Sequence, residues 1–320
     1  MTQPALVSID EMRAAAERIA PYLHRTPMMT STSLAEECGT RLALKAELFQ
    51  RTGSFKARGV VNTVLQLTPE ELARGVVTMS AGNHAAALAH AARTVGTSAV
   101  VVMPAHAATS KVAAVRRYGA EVVLTAESLL DTMRAIQQER DLVLVHPFDD
   151  PRVIAGAGTV GLEIAEDVPD VDVVVVPVGG GGLIAGVAAA VRGIHPGARV
   201  VGVEPAGADG MTRALAAAAV VPVERPMSVA DGLTAPFAGI HTLAHVQALV
   251  EQVVVVSDDE IVAATRLVYQ RAKLAVEPAA AAGIAALLRG GLAAAGDRTV
   301  CVLTGGNVDD AVIARVFAPS

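Results

Sequence analysis

Tryptophan is absent from this chain of 320 residues, and aromatic side chains are few, with five Phe and three Tyr. A core without large rings must be assembled from Ala, Val, Leu and Ile, small side chains suited to close helix-on-sheet packing. Cysteine occurs twice, at Cys38 and Cys301, far apart and without metal-ligand spacing. That excludes a disulfide framework and implies two free thiols in a reducing, cytoplasmic compartment. Positive charge is also short. The 26 Lys and Arg are outnumbered by 32 Asp and Glu, for a net charge of −6. No basic field is present to draw in nucleic acid or an anionic membrane, so neither is expected as a partner.

The mean hydropathy of +0.46 raises the question of a membrane span. The longest uncharged run, Val173–Val191, has the required length. It is interrupted by Pro177 and by Gly179, Gly180, Gly181 and Gly182, which would break a lipid-facing helix and expose its backbone. It is better read as a buried strand, a glycine loop and a helix. Met1–Glu11 carries acids and no hydrophobic region, so no secretory leader is expected.

What the chain does have is 52% apolar and 18% charged residues, a globular balance that excludes disorder. Short Val-rich runs predict strands at Val76–Met79, Ala99–Met103, Val122–Leu124, Leu142–Val145, Val173–Val178, Val200–Val203, Val253–Val256 and Val300–Leu303. Amphipathic segments lie between many of them. One spans Asp10–Tyr22; another is opened by Ser257, with Glu260 at the capping-box position. The alternation predicts an α/β fold with open, mainly parallel twisted sheets flanked by helices. Two units are expected: a small domain over residues 75–150, inserted into a large one built from 1–74 and 151–320. Pro222–Leu243, rich in Pro and Gly, is the expected surface excursion.

Ligands of open α/β sheets bind at the carboxyl ends of strands, and four motifs lie there. The run Gly179-Gly180-Gly181-Gly182-Leu183 follows a strand and opens a helix. Backbone N–H groups without Cβ atoms can converge there on a small phosphate monoester, or the run is a tight turn. It lacks the Lys-Ser/Thr of a nucleotide loop and the spaced glycines of a dinucleotide site. Lys56, one of only four lysines, follows Gly53-Ser54-Phe55 at a helix start. It is either a solvated lysine or a partly desolvated amine able to attack a carbonyl. Ser80-Ala81-Gly82-Asn83-His84 forms either an N-cap cluster or a carboxylate site, and His84 alone would suit a structural bond to a backbone carbonyl. Thr304 closes the last strand with a neutral hydroxyl, in a strand-to-helix turn or a site.

Together these motifs resemble those of the fold-type-II pyridoxal-phosphate enzymes, in the threonine dehydratase and serine racemase family, from Lys45 to Asn307. The segment His146–Glu163 is similar to the dehydratase sequence entering the large domain, and Glu277-Pro278-Ala279 to a segment near the cofactor ring. The resemblance implies that Lys56 carries pyridoxal 5'-phosphate covalently and serves as catalytic base. Gly179–Leu183 would hold the phosphate, Phe55 and Asn83 would flank the ring, and Thr304 would face its nitrogen. Ser80, Ala81, Gly82, Asn83 and His84 would bind the carboxylate of an amino-acid substrate. The activity implied is an ammonia-lyase acting on L-threonine or L-serine. Alternatives are a dehydratase of another β-hydroxy amino acid such as 3-hydroxyaspartate, or a serine racemase with side elimination. Family racemases carry serine where this chain has Ala81. Glu204 and Ala208 resemble part of a divalent-cation (Mg) loop whose second carboxylate would fall at Gly210, with Asp209 one position early. No C-terminal regulatory domain is expected, and a homodimer or higher homo-oligomer is. A metabolite sensor would not need both the lysine and the substrate loop.

Overall fold

The computed structural model describes residues 4–318. Residues 1–3, part of the stretch read for a leader, and 319–320, the end of the expected large domain, lie outside the described residues. In chain order the strands are β1 (Met28–Thr30), β2 (Arg41–Ala46), β3 (Val76–Met79), β4 (Ala99–Pro104), β5 (Glu121–Thr125), β6 (Val143–Leu144), β7 (Val173–Pro177), β8 (Arg199–Pro205), β9 (Gln252–Val256) and β10 (Arg298–Leu303). They form two sheets. The smaller has the order β5-β4-β3-β6 and is parallel throughout. The larger runs β1-β2-β10-β7-β8-β9, parallel except where β1 meets β2. The expected α/β class with open, mainly parallel sheets is the class observed.

Strands β7 and β10 show why the sheet is parallel. Their side chains alternate between two cores, as a period of two requires. Val173, Val175, Cys301 and Leu303 pack toward the helices Asp258–Ala272 and Pro278–Arg289. Val174, Val176, Val300 and Val302 pack toward the helices Pro151–Asp167 and Gly182–Ile194. Both faces are covered, so the strands read as continuous apolar runs. The uncharged run considered as a membrane span is accordingly strand, glycine loop and helix. No described helix is long and apolar enough to cross a membrane. Ser257 and Glu260 form the expected capping box, while the first helix covers Ile9–Ile19 and stops short of Tyr22. Both cysteines are buried free thiols.

Two strands were not legible. One is β1, whose short run Met28–Thr30 offers too few residues for a period to show. In the other, β2, the apolar run is broken by Arg41 and Lys45, yet Lys45 is fully buried. Its Nζ lies 2.7 Å from the Glu163 carboxylate and donates to the Thr26 carbonyl at 2.8 Å. Beside it, the Arg58 guanidinium makes paired bonds to Glu47 (2.8 and 2.9 Å) and to Glu163 (2.7 and 2.9 Å). This buried cluster joins β2, the helix Lys56–Val64 and the helix Pro151–Asp167, and so fixes the start of the helix that carries Lys56.

Removing a single cation from such a cluster leaves a buried carboxylate uncompensated. Arg58→Leu is therefore expected to lower the unfolding free energy by about 3–5 kcal/mol. A urea titration checks this, and a loss under about 1 kcal/mol would mean that the cluster is not what anchors this helix.

Candidate active site

Strands β3, β7 and β10 all end at the same cleft, where the sequence motifs begin. Lys56 is the first residue of its helix, half-buried, with its Nζ 5.2 Å from the Phe55 ring centroid. The amine donates to the Pro147 carbonyl at 2.8 Å. Burial lowers its pKa to about 8, partly offset by the charge of Glu277. The amine can therefore give up its proton near neutral pH, as a base or nucleophile must. The Phe55 N–H donates to the Thr304 carbonyl, tying the lysine turn to the end of β10, where Thr304 is buried.

The glycine loop follows β7. Among the described residues, the N–H groups of Gly179, Gly180, Gly181 and Gly182 donate to no protein acceptor. They sit at the N-terminus of the thirteen-residue helix Gly182–Ile194. A Cβ on Gly180 would come within 2.4 Å of the Phe148 ring, and Gly181 has φ +94°, so no other residue fits comfortably here. Pro222–Leu243, expected as a surface excursion, exposes Glu224, Arg225 and Met227 and also partly covers this loop. The Leu233 backbone packs on Gly179, and Thr242 Oγ1 donates to the Gly180 carbonyl at 2.7 Å. The segment's other contacts include those with the turn after β8, where the Met227 N–H donates to the Gly207 carbonyl, with Asp258, and with the core, which Val229, Ala230 and Leu233 join. A cradle of free N–H groups, an amine of lowered pKa and an aromatic side chain fit a group that carries a phosphate, an aldehyde and a ring.

At the end of β3, Ser80 Oγ accepts the Gly82 N–H at 3.2 Å, while the N–H groups of Ala81, Asn83 and His84 have no protein acceptor among the described residues. The His84 ring turns inward. Its Nε2 lies 3.0 Å from Thr78 Oγ1 and 3.1 Å from the Val145 carbonyl, and burial lowers its pKa to about 3. The ring is neutral, and what His84 offers a ligand is its backbone. Asn83 Nδ2 donates to Glu277 at 2.8 Å, and its Oδ1 accepts from Asn307 Nδ2 at 2.8 Å. Burial, reinforced by Asp231, raises the Glu277 pKa to about 8. Asn83 thus crosses the cleft from the smaller sheet to the larger, where Glu277 and Asn307 hold its amide.

Glu204 and Ala208 lie together after β8. The Glu204 carboxylate accepts the Met211 N–H (2.7 Å) and the Thr212 N–H and O–H (2.8 and 2.7 Å), capping the helix Gly210–Ala217. Asp209 pairs with Arg213. Among the described residues no group of three His, Cys, Asp or Glu side chains is gathered as for a metal. Pro147 and Phe148 lay in the segment His146–Glu163 and Asn307 closed the Thr304 turn, but sequence reasoning gave them no role in the site, and it missed Thr242. Their contacts with the site exist only in the folded chain, so their roles could not be read from residue type.

A scan of family models matches residues 19–305 to the family described as pyridoxal-phosphate dependent enzyme. The chain is 42% identical over 308 residues to an L-threonine ammonia-lyase of Geobacter sulfurreducens, covering 95% of this chain and 77% of the relative. It is similar to a solved maize serine racemase, with TM-score 0.92, 41% identity and 97% of each chain covered. It is also similar to the solved processed form of threonine deaminase isoform 2 from Solanum lycopersicum. That likeness has TM-score 0.89 and 33% identity, and covers 99% of this chain and 96% of the other.

The raised pKa of Glu277 makes folding pH-dependent. Between its ordinary 4.5 and about 8 the folded state holds a proton that the unfolded state releases, so stability falls as pH rises through that window. In cofactor-free protein, Glu277→Gln is expected to remove on the order of a few kcal/mol of that fall. Thermal unfolding of both proteins at about pH 5 and pH 8 checks it, and parallel pH curves would contradict the burial argument.

Proposed function

The chain belongs to the pyridoxal-phosphate dependent enzyme family, and we propose that within it the protein is an ammonia-lyase. It takes L-threonine or L-serine to the 2-oxo acid and ammonia by α,β-elimination. The observation that carries this reading is Ala81, placed between β3 and the helix Asn83–Val95. Racemisation needs a second proton donor on the face of the substrate opposite the lysine, and a methyl group cannot transfer a proton.

Lys56 would hold the cofactor covalently, with Phe55 and Asn83 flanking its ring and Glu277 fixing Asn83. Gly179, Gly180, Gly181, Gly182 and Leu183 would take its phosphate on backbone N–H groups and the helix N-terminus. Bound pyridoxal phosphate supplies the electron sink that makes the Cα–H bond of an amino acid acidic. The free N–H groups of Ala81, Asn83 and His84, with Ser80 beside them, would receive the substrate carboxylate. Lys56, with its pKa lowered to about 8, would accept the Cα proton. Thr304 would offer the ring nitrogen a neutral hydroxyl and not a carboxylate, which would weaken the sink and favour prompt loss of the β-hydroxyl. Residues 75–150 would act as a small domain closing on a large one of 1–74 and 151–320.

Purified protein is expected to be yellow and to lose the colour on borohydride reduction. Lys56→Ala should lack that colour and lose roughly 10²–10⁴-fold or more in 2-oxo acid formation from L-threonine and L-serine. Full activity in that variant would refute the role of Lys56. Ala81→Ser is expected to raise D-serine formation relative to elimination by about tenfold, read by chiral chromatography. An unchanged ratio would remove the argument from Ala81.

A further inference from the structure

The turn His146–Asp149 joins β6 of the smaller sheet to the helix Pro151–Asp167, and three of its residues touch the site. The Pro147 carbonyl accepts from Lys56 Nζ. The Phe148 ring fills the space over Gly180. The Asp149 carboxylate accepts the N–H groups of Ile240 (3.0 Å) and His241 (2.8 Å), fixing the helix start from which Thr242 reaches the Gly180 carbonyl. One side chain holds the turn itself. His146 Nδ1 accepts the N–H of Asp149 at 2.8 Å and of Phe148 at 3.3 Å, and its ring stands edge-on to Phe148 with centroids 4.7 Å apart. A nitrogen that faces two N–H donors must present a lone pair, so the proton of the neutral ring sits on Nε2.

We propose that His146 is a positioning residue whose Nδ1 lone pair sets both the resting place of the Lys56 amine and the shape of the glycine cradle. The proposal rests on the reading of the site as a pyridoxal-phosphate site. Without that acceptor, two backbone N–H groups lose their partner and the turn relaxes. Pro147 then leaves the lysine, and Phe148 and Asp149 leave the loop and the helix that supports it. Protonation of the ring has the same effect, since it turns the acceptor into a donor. The groups facing the ring are Asp149 and Asp150 on its own segment, Lys56 at the start of the helix Lys56–Val64, and His84 on the helix Asn83–Val95. Burial holds the imidazole below its ordinary value, opposed by Asp149 and reinforced by Lys56, so the lone pair is present at neutral pH.

The test compares His146→Asn, whose amide oxygen can occupy the place of Nδ1, with His146→Gln and His146→Leu, which cannot put an acceptor there. The readout is the dissociation constant of pyridoxal phosphate from cofactor-stripped protein, followed by fluorescence titration. At about pH 8, Asn should bind within about threefold of the wild type, while Gln and Leu weaken binding by roughly 10-fold or more. Between about pH 8 and pH 5 the wild type should lose affinity more steeply than the Asn variant, whose amide does not titrate. If Leu is insoluble, Gln against Asn carries the comparison. Wild-type protein that takes up no pyridoxal phosphate overturns the proposed function and this inference with it. Wild type that binds, with the variants alike or Gln as tight as Asn, overturns the assignment to Nδ1 alone.

Discussion

An ammonium withdrawn from water must donate to something, and Lys56 donates to the Pro147 carbonyl. Much of the surrounding structure can be understood as fixing the two ends of that bond. On the lysine side, Arg58 lies two residues along the same helix and is locked by Glu47 and Glu163, so the helix start cannot drift. On the carbonyl side, the His146 turn is closed on an imidazole and capped by Asp149 against a neighbouring helix. The amine keeps an acceptor that carries no charge. With no carboxylate bonded directly to the amine, burial outweighs the offsetting charge of Glu277 and brings its pKa down to about 8.

The same economy of charge extends through the cleft. Glu277 is pushed up to about 8 and His84 down to about 3, so near neutral pH neither side chain is held as a fixed ion. Full charges stand at the rim, where Lys111 meets Asp231 at 2.7 Å and Asp309 at 3.2 Å. An anionic guest inside would be met by oriented N–H dipoles from Gly179–Gly182 and from the start of the helix Asn83–Val95. Such dipoles are fixed by the backbone and need no reorganisation when charge shifts during a reaction.

This division explains what could be read from the sequence. Strand-end motifs are local, so the glycine run, the lysine turn and the Ser80–His84 loop each advertise themselves through residues adjacent in the chain. The sheet class follows from the alternation of Val-rich runs and helices. Lys45 hid β2, because a charge inside a strand looks like a break until Glu163, more than a hundred residues away, is known to sit against it. The roles of His146, Phe148 and Thr242 were equally hidden. The contacts by which they shape the site are with backbone groups, and backbone groups leave no trace in residue type. Glu277 was picked out by resemblance, but its hold on Asn83 and its raised pKa belong to the folded cleft.

The cleft also has two unlike sides, and the difference bears on how it can open. Behind Lys56, the helices Lys56–Val64 and Pro151–Asp167 are joined by buried ion pairs, contacts that cannot slide without uncovering charge. At the mouth, the smaller sheet's helices reach the larger body through polar side chains: Asn83 to Glu277 and Asn307, Lys111 to Asp231 and Asp309, and Ser110 to Asp309. Lys111 and Asp231 are partly solvated, and water can replace each in the other's company at little cost. On the function proposed above, a molecule entering at the mouth would exchange one set of polar contacts for another while the rear stayed closed. The fold thus sets its partly solvated polar contacts at the mouth and its buried ion pairs behind the amine.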